Sequence, residues 1–142
     1  MRTGHSSSLA SLIACFVVLA VGTPACIFDA DSCGNNVLSE LPSPDASRRA
    51  VLFVRNCGAT TRFSTQLALI SSGRSLPNEG GNVLVAETGY EPTGVDDSGR
   101  PAVAVQWVSA DELRVTYAEG IRVFRKELEL AGVGISYVTF NP

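Results

Sequence analysis

The second half of the chain alternates between apolar and polar positions with the two-residue period of β-strands. Apolar side chains take every second position of residues 103–107 and again of residues 113–117. Glycine-containing turns then open two further strand-like segments at 121–130 and 133–140. The Lys-Glu-Leu-Glu run within 121–130 favours a helix, but its neighbours and tight turns favour a strand with a bulge. The short connections predict an antiparallel meander.

The first half of the chain predicts four more strands. Residues 50–54 are apolar on both faces, as is typical of a central strand. The preceding Ser43-Pro44-Asp45-Ala46 has the serine and proline that favour a type I turn. The remaining candidates are residues 37–41, 65–70 and 83–86. The pattern therefore predicts an all-β fold, a compact antiparallel sandwich or partly open barrel of about 7–8 strands.

An apolar run at residues 9–21 precedes these strands and does not fit the β pattern. Arg2 lies before the run, and no acidic residue occurs before Asp29. The run has 13 residues, fewer than the ~20 that a membrane-spanning helix needs. Small residues follow it at 22–25. The sequence predicts a signal peptide with a helical core at 1–25, a tether at 26–35 and a single β-domain at 36–142.

The cysteine count indicates what happens after the signal. Removal of Cys15 with the signal leaves Cys26, Cys33 and Cys57, an odd number for an exported protein. Cys26 directly follows Ala25 in a segment that resembles a bacterial lipobox, although Thr23 stands where leucine is usual. Lipidation of Cys26 would leave Cys33 and Cys57 to form a disulfide.

A lipid on Cys26 would anchor the protein on the outer side of the cytoplasmic membrane or in the periplasm or outer membrane. The alternative is cleavage by ordinary signal peptidase, which would release a soluble secreted protein.

Composition removes several classes of function. Apolar residues make up 45% of the chain, which excludes wholesale disorder. The net charge of -3 argues against a nucleic-acid partner. The sole histidine, His5, lies in the predicted signal, so histidine-based triads are excluded from the mature chain. No phosphate-binding glycine loop is present, and we expect no cofactor.

Acidic residues suggest two further chemistries. Asp29, Asp31, Gly34 and Glu40 have the spacing of a calcium loop, but Cys33 takes a ligand position, so no metal site is predicted. The pairs at 96–97 and 111–112 could support a carboxylate-dependent hydrolase, although both pairs fall in predicted turns, where solvation explains them.

Two loops are candidate binding segments. The first joins the strands at 50–54 and 65–70, and its arginines are candidate anion contacts. Its structural interpretation is a hydroxyl-rich turn beside the disulfide. The second, residues 87–101, is long for a compact domain, which is typical of functional or disordered loops, and an inhibitor could insert it into an enzyme. The candidate binding residues of the first loop are Arg55, Gly58, Thr60, Thr61, Arg62 and Ser64.

The segments Ser43-Pro44-Asp45, 50–53 and 57–65 (CGATTRFST) resemble a family of small uncharacterised bacterial proteins that are exported or lipid-anchored. Ala46-Ser47 departs from the Gly-Lys that often follows the turn in that family. The resemblance implies an envelope location and no particular activity. We therefore expect a non-enzymatic binding or structural module whose partners are a membrane, through the lipid, and an envelope protein. The alternatives are a secreted inhibitor and a histidine-free hydrolase.

Overall fold

The protein is a β-sandwich, as seen in a computed structural model that describes residues 33–58, 61–62, 64–88 and 94–142. Within these residues there are nine strands and no helix, which confirms the predicted all-β class. Accordingly, no apolar helix of bilayer-spanning length occurs in the described part of the chain. The strands are β1 (Gly34–Pro42), β2 (Arg48–Asn56), β3 (Ser64–Ser71), β4 (Leu84–Glu87), β5 (Val103–Ser109), β6 (Glu112–Ala118), β7 (Arg122–Lys126), β8 (Glu129–Leu130) and β9 (Val133–Phe140).

The strands form two sheets. The five-stranded sheet has the order β1-β2-β3-β4-β7, and the four-stranded sheet has the order β5-β6-β9-β8. In the five-stranded sheet every neighbouring pair is antiparallel. The turn predicted at 43–46 is closed by a 2.8 Å hydrogen bond from the Ala46 amide to the Ser43 carbonyl.

One apolar core joins the two sheets. Residues of β2 to β9 form it, and Leu67, Leu84 and Leu113 are completely buried there. Each fully buried leucine contributes about 1.5–3 kcal/mol relative to an exposed one. In β5 and β6 the core residues are the alternate positions that the sequence pattern identified.

A second apolar cluster covers the outer face of the five-stranded sheet. Val51, Phe53 and Ala68 pack there against Ile70 and Leu76, the last of which belongs to the segment after β3. This cluster explains why β2 is apolar on both faces, as the sequence predicted for a central strand.

The predicted meander of the second half is correct for the β5–β6 hairpin and for the short β8–β9 hairpin, and wrong between them. Residues 121–130 divide into β7, which pairs with β4 in the other sheet, and the two-residue β8. The final strand, β9, then pairs parallel to β6. Parallel neighbours need a crossover connection, and the excursion through β7 and β8 supplies it.

Candidate functional site

The disulfide predicted from the cysteine count is present. Cys33 precedes β1 and Cys57 follows β2, so the two residues continue the register beyond the Gly34–Asn56 pair. The S–S distance is 2.05 Å. The bond ties the start of an edge strand to its neighbour. The predicted signal, most of the tether and Cys26 lie outside the described residues.

Arg55, a predicted anion contact, is engaged in a structural clamp. Its Nη1 donates to Asn35 Oδ1 at 2.8 Å and to Asn78 Oδ1 at 3.2 Å. Asn35 Nδ2 in turn donates to the carbonyls of Pro77 and Glu79 at 3.0 and 2.9 Å. The clamp holds the segment between β3 and β4 against the start of β1.

The other residues of the first candidate loop form a turn and a buried polar pair. The Gly58 amide donates to Asn56 Oδ1 at 2.9 Å, and Gly58 has φ of 104°, a conformation that favours glycine. Thr61 Oγ1 donates to the Gly58 carbonyl at 2.8 Å. Ser64 Oγ accepts from Gln66 Nε2 at 2.9 Å. Arg62 is exposed and Thr60 lies outside the described residues. The structure thus gives the loop a folding role, and its predicted ligand role stays a prediction.

The structure reveals a groove that the sequence did not indicate. It lies at the side of the sandwich where β1 and β5 come together, has a volume of about 200 Å³ and is mostly apolar. Leu38 and Phe140 at its rim are 37% and 39% exposed. Leu38 is the extra residue where the β1–β2 register shifts. The lining includes Leu38, Leu52, Pro101, Val103, Ala104 and Phe140.

Trp107 joins the two edge strands farther along this side of the sandwich. Its Nε1 donates to the Leu41 carbonyl at 2.9 Å, which connects β5 of one sheet to β1 of the other. Leu41 pairs with Ala50 of β2, so the indole donates to a carbonyl of the five-stranded sheet itself. This side of the core is therefore closed at Trp107 and open at the groove.

The one acid that lines the groove is held in its charged form. Burial raises the pKa of Asp96, but hydrogen bonds from Arg100 and Ser98 and the charge of Arg100 outweigh it, so this pKa is lowered. The Asp96–Arg100 ion pair measures 2.8 Å. A carboxyl group with a lowered pKa is a poor general acid at neutral pH.

Two other acidic candidates, Asp111 and Glu40, have structural partners. Asp111 Oδ1 accepts from Ser109 Oγ at 2.6 Å in the β5–β6 turn. Glu40 forms a 2.8 Å ion pair with Arg49. Asp29 and Asp31 of the calcium-like spacing lie outside the described residues, while Cys33 is in the disulfide. No group of three or more potential metal ligands occurs in the described part of the chain.

Two thirds of the second candidate loop, residues 87–88 and 94–101, are also described. Val95 and Pro101 form a bridge, and the Asp96 amide donates to the Arg100 carbonyl at 2.8 Å. Residues 94–101 therefore form a tight turn beside the groove. Residues 89–93 of the same loop lie outside the described residues.

Comparisons with a set of protein-family models, with curated proteins and with solved structures find no match for this chain.

Proposed function

We propose that this chain is an exported, lipid-anchored envelope protein whose β-domain is a non-enzymatic binding or structural module. The observation that carries the proposal is the disulfide between Cys33 and Cys57. Stable disulfides belong to oxidising compartments outside the cytosol. The bond also uses two of the three cysteines that remain after the predicted signal, and leaves Cys26 as the odd one.

The geometry of the domain supports binding rather than catalysis. The Asp96 carboxylate is paired with Arg100, and Asp111 accepts a hydrogen bond within its turn. One open feature of the described residues is a small, mostly apolar groove with exposed side chains at its rim. Exposed apolar surface of this kind favours contact with another macromolecule.

The lipid anchor is tested by cell fractionation of the full-length chain. We expect Cys26→Ala to release the protein from the membrane fraction, because the thioether to the lipid can no longer form. Cys15→Ala is the matched control, since Cys15 lies within the apolar run of the predicted signal and is removed with it. Membrane association that survives Cys26→Ala overturns the anchor. A wild-type chain found only in the soluble exported fraction supports the secreted alternative.

A further inference from the structure

The edge strands of the two sheets differ in how they are guarded against pairing with another chain. Charged residues and proline on an edge strand prevent such pairing. In the described residues the sheets have four edges, β1, β7, β5 and β8. The guards are Glu40 and Pro42 on β1, Arg122, Arg125 and Lys126 on β7, and Glu129 on the two-residue β8.

β5 has neither a charge nor a proline, and its one register irregularity against β6 lies at its end, between Trp107 and Ser109. Its sequence, VAVQWVS, contains seven residues without a charge or a proline. Ala104, Gln106 and Val108 are exposed, and Val108 retains 45% of its accessible surface. Uncharged edge strands of this length are the type that accepts an additional strand.

The backbone of β5 presents hydrogen-bonding groups on its open side. The Ala118 amide of β6 donates to the Ala102 carbonyl at 3.1 Å, just before β5 begins. Because antiparallel strands alternate, Ala104 and Gln106 then face β6, while residues 103, 105 and 107 direct their amides and carbonyls away from it. Amides and carbonyls that repeat along an edge at the spacing of a β-strand can all be hydrogen-bonded only by another extended backbone.

Apolar side chains lie directly beneath this open backbone. Val103, Val105 and Trp107 belong to the core-facing side of β5, yet each is only half-buried. Val103 also lines the apolar groove between β5 and β1. An added strand would cover these three side chains and satisfy the backbone above them in one step.

We propose that the added strand is β5 of a second copy of this chain. Two copies of β5 would pair antiparallel across a two-fold axis at Val105, which joins the four-stranded sheets into one sheet of eight strands. In this register Val103 lies opposite Trp107 of the second copy, and Ala104 lies opposite Gln106.

Charge favours this pairing over self-pairing through β7. The β5 seam places no charge against a like charge, because the strand carries none. Self-pairing of β7 about its centre would instead place Arg122 opposite Lys126 of the second copy, and like charges directly opposite one another are destabilising. The proposal is independent of the lipid on Cys26.

The test is the mass of the full-length chain in mild detergent, measured by light scattering over a hundredfold range of concentration. We expect a two-copy particle that dissociates on dilution. The double variant Ala104→Lys with Gln106→Lys places cations on both sides of the seam, and we expect at least a tenfold weaker association. Thr139→Lys with Asn141→Lys is the charge-matched control on an exposed segment two strands away. A wild-type chain that is monomeric at every concentration overturns the proposal, as does equal loss of association in the control.

A cross-linking variant tests the proposal even if the lysines disturb folding. Ala104→Cys with Gln106→Cys puts the thiol at position 104 opposite the thiol at position 106 of the second copy. Mild oxidation is therefore expected to yield a covalent two-copy band. Thr139→Cys with Asn141→Cys is expected to yield none. A two-copy band of equal intensity in both variants, or no band from the β5 pair, contradicts the β5 seam.

Discussion

The two long sides of the sandwich close the same core in different ways. On the β7 side, Lys126 Nζ lies 4.7 Å from the centre of the Tyr137 ring and 5.5 Å from that of Tyr117. Tyr137 also donates its hydroxyl to the Glu127 carbonyl at 2.6 Å. On the β5 side, Trp107 Nε1 donates to the Leu41 carbonyl of the other sheet, and Thr65 Oγ1 of β3 donates to the Pro101 carbonyl just before β5. The β7 side is thus closed by a packed cation and two rings, whereas the β5 side keeps a groove.

Only on the β7 side is the core closed and the edge strand protected by charges. Two cations of β7 pack against aromatic rings: Lys126, and Arg122, which lies 5.0 Å from the centre of the Phe124 ring. The same positive charges repel a second copy of β7. β5 directs Val103, Val105 and Trp107 toward the core, and none of its exposed residues is charged. An edge that is only half covered by its own chain is the natural place for another chain.

The largest expected effect comes from removing the disulfide, which supports the β1 edge on the open side. Cys33→Ser with Cys57→Ser frees a loop with a sequence separation of 24. We expect the free energy of unfolding in urea to fall by about 3 kcal/mol, chiefly because the unfolded chain gains entropy. Hydrogen exchange should accelerate more in β1 than in β7.

Cys26→Ala is the matched control for that measurement, because it removes a cysteine and leaves the disulfide in place. A fall of less than 1 kcal/mol, or equal acceleration of exchange in β1 and β7, would be inconsistent with a disulfide that stabilises one side of the sandwich.

A smaller effect is expected from the hydrogen bond that closes the β5 side. Trp107→Phe removes the donor to the Leu41 carbonyl and part of the half-buried ring, and should cost about 1–3 kcal/mol in urea unfolding. Tyr137→Phe removes one hydroxyl donor on the β7 side and should cost only about 1 kcal/mol. The reverse ranking would mean that the two sides are closed with similar strength.

The strands could be predicted from the sequence far better than their partners. Alternation and turn residues identified β1 to β6 and β9, because these signals are local. Which sheet a strand joins is not a local property. Val123 and Leu130 are both apolar and both pack against the core, yet one lies in the five-stranded sheet and the other in the four-stranded sheet. The predicted meander failed between β6 and β8 for this reason.

The candidate sites also divide into one that the sequence predicted and two that it did not. The Cys33–Cys57 pair followed from counting, since an exported chain has few ways to use its cysteines. The groove could not be found, because it depends on a shifted register at Leu38 and on the return of Phe140 from the far end of the chain. The clamp at Arg55 was missed because asparagines from two separate segments complete it.

The smallest expected effect is a dependence on alkaline pH that belongs to the β7 side alone. Burial, followed by the charge of Glu127 and by Tyr117, raises the pKa of Tyr137 from 10.0 to about 12. The folded state therefore holds the phenol proton more tightly than the unfolded state, so this stabilisation is complete below pH 10 and is lost as the pH rises through 12. Because the ring is only half-buried, solvent screening limits the loss to about 1 kcal/mol.

Urea unfolding of wild type and Tyr137→Phe between pH 9 and pH 12 measures this loss as the difference between the two curves, which cancels the other titrating groups. The difference should shrink as the pH rises. Trp107→Phe is the control from the β5 side, and its difference from wild type should stay constant, because the indole that closes that side has no proton to lose in this range. A constant difference for Tyr137→Phe would show that the phenol proton plays no part in closing the β7 side. The two sides would then differ in their edge charges and not in the chemistry of their closure.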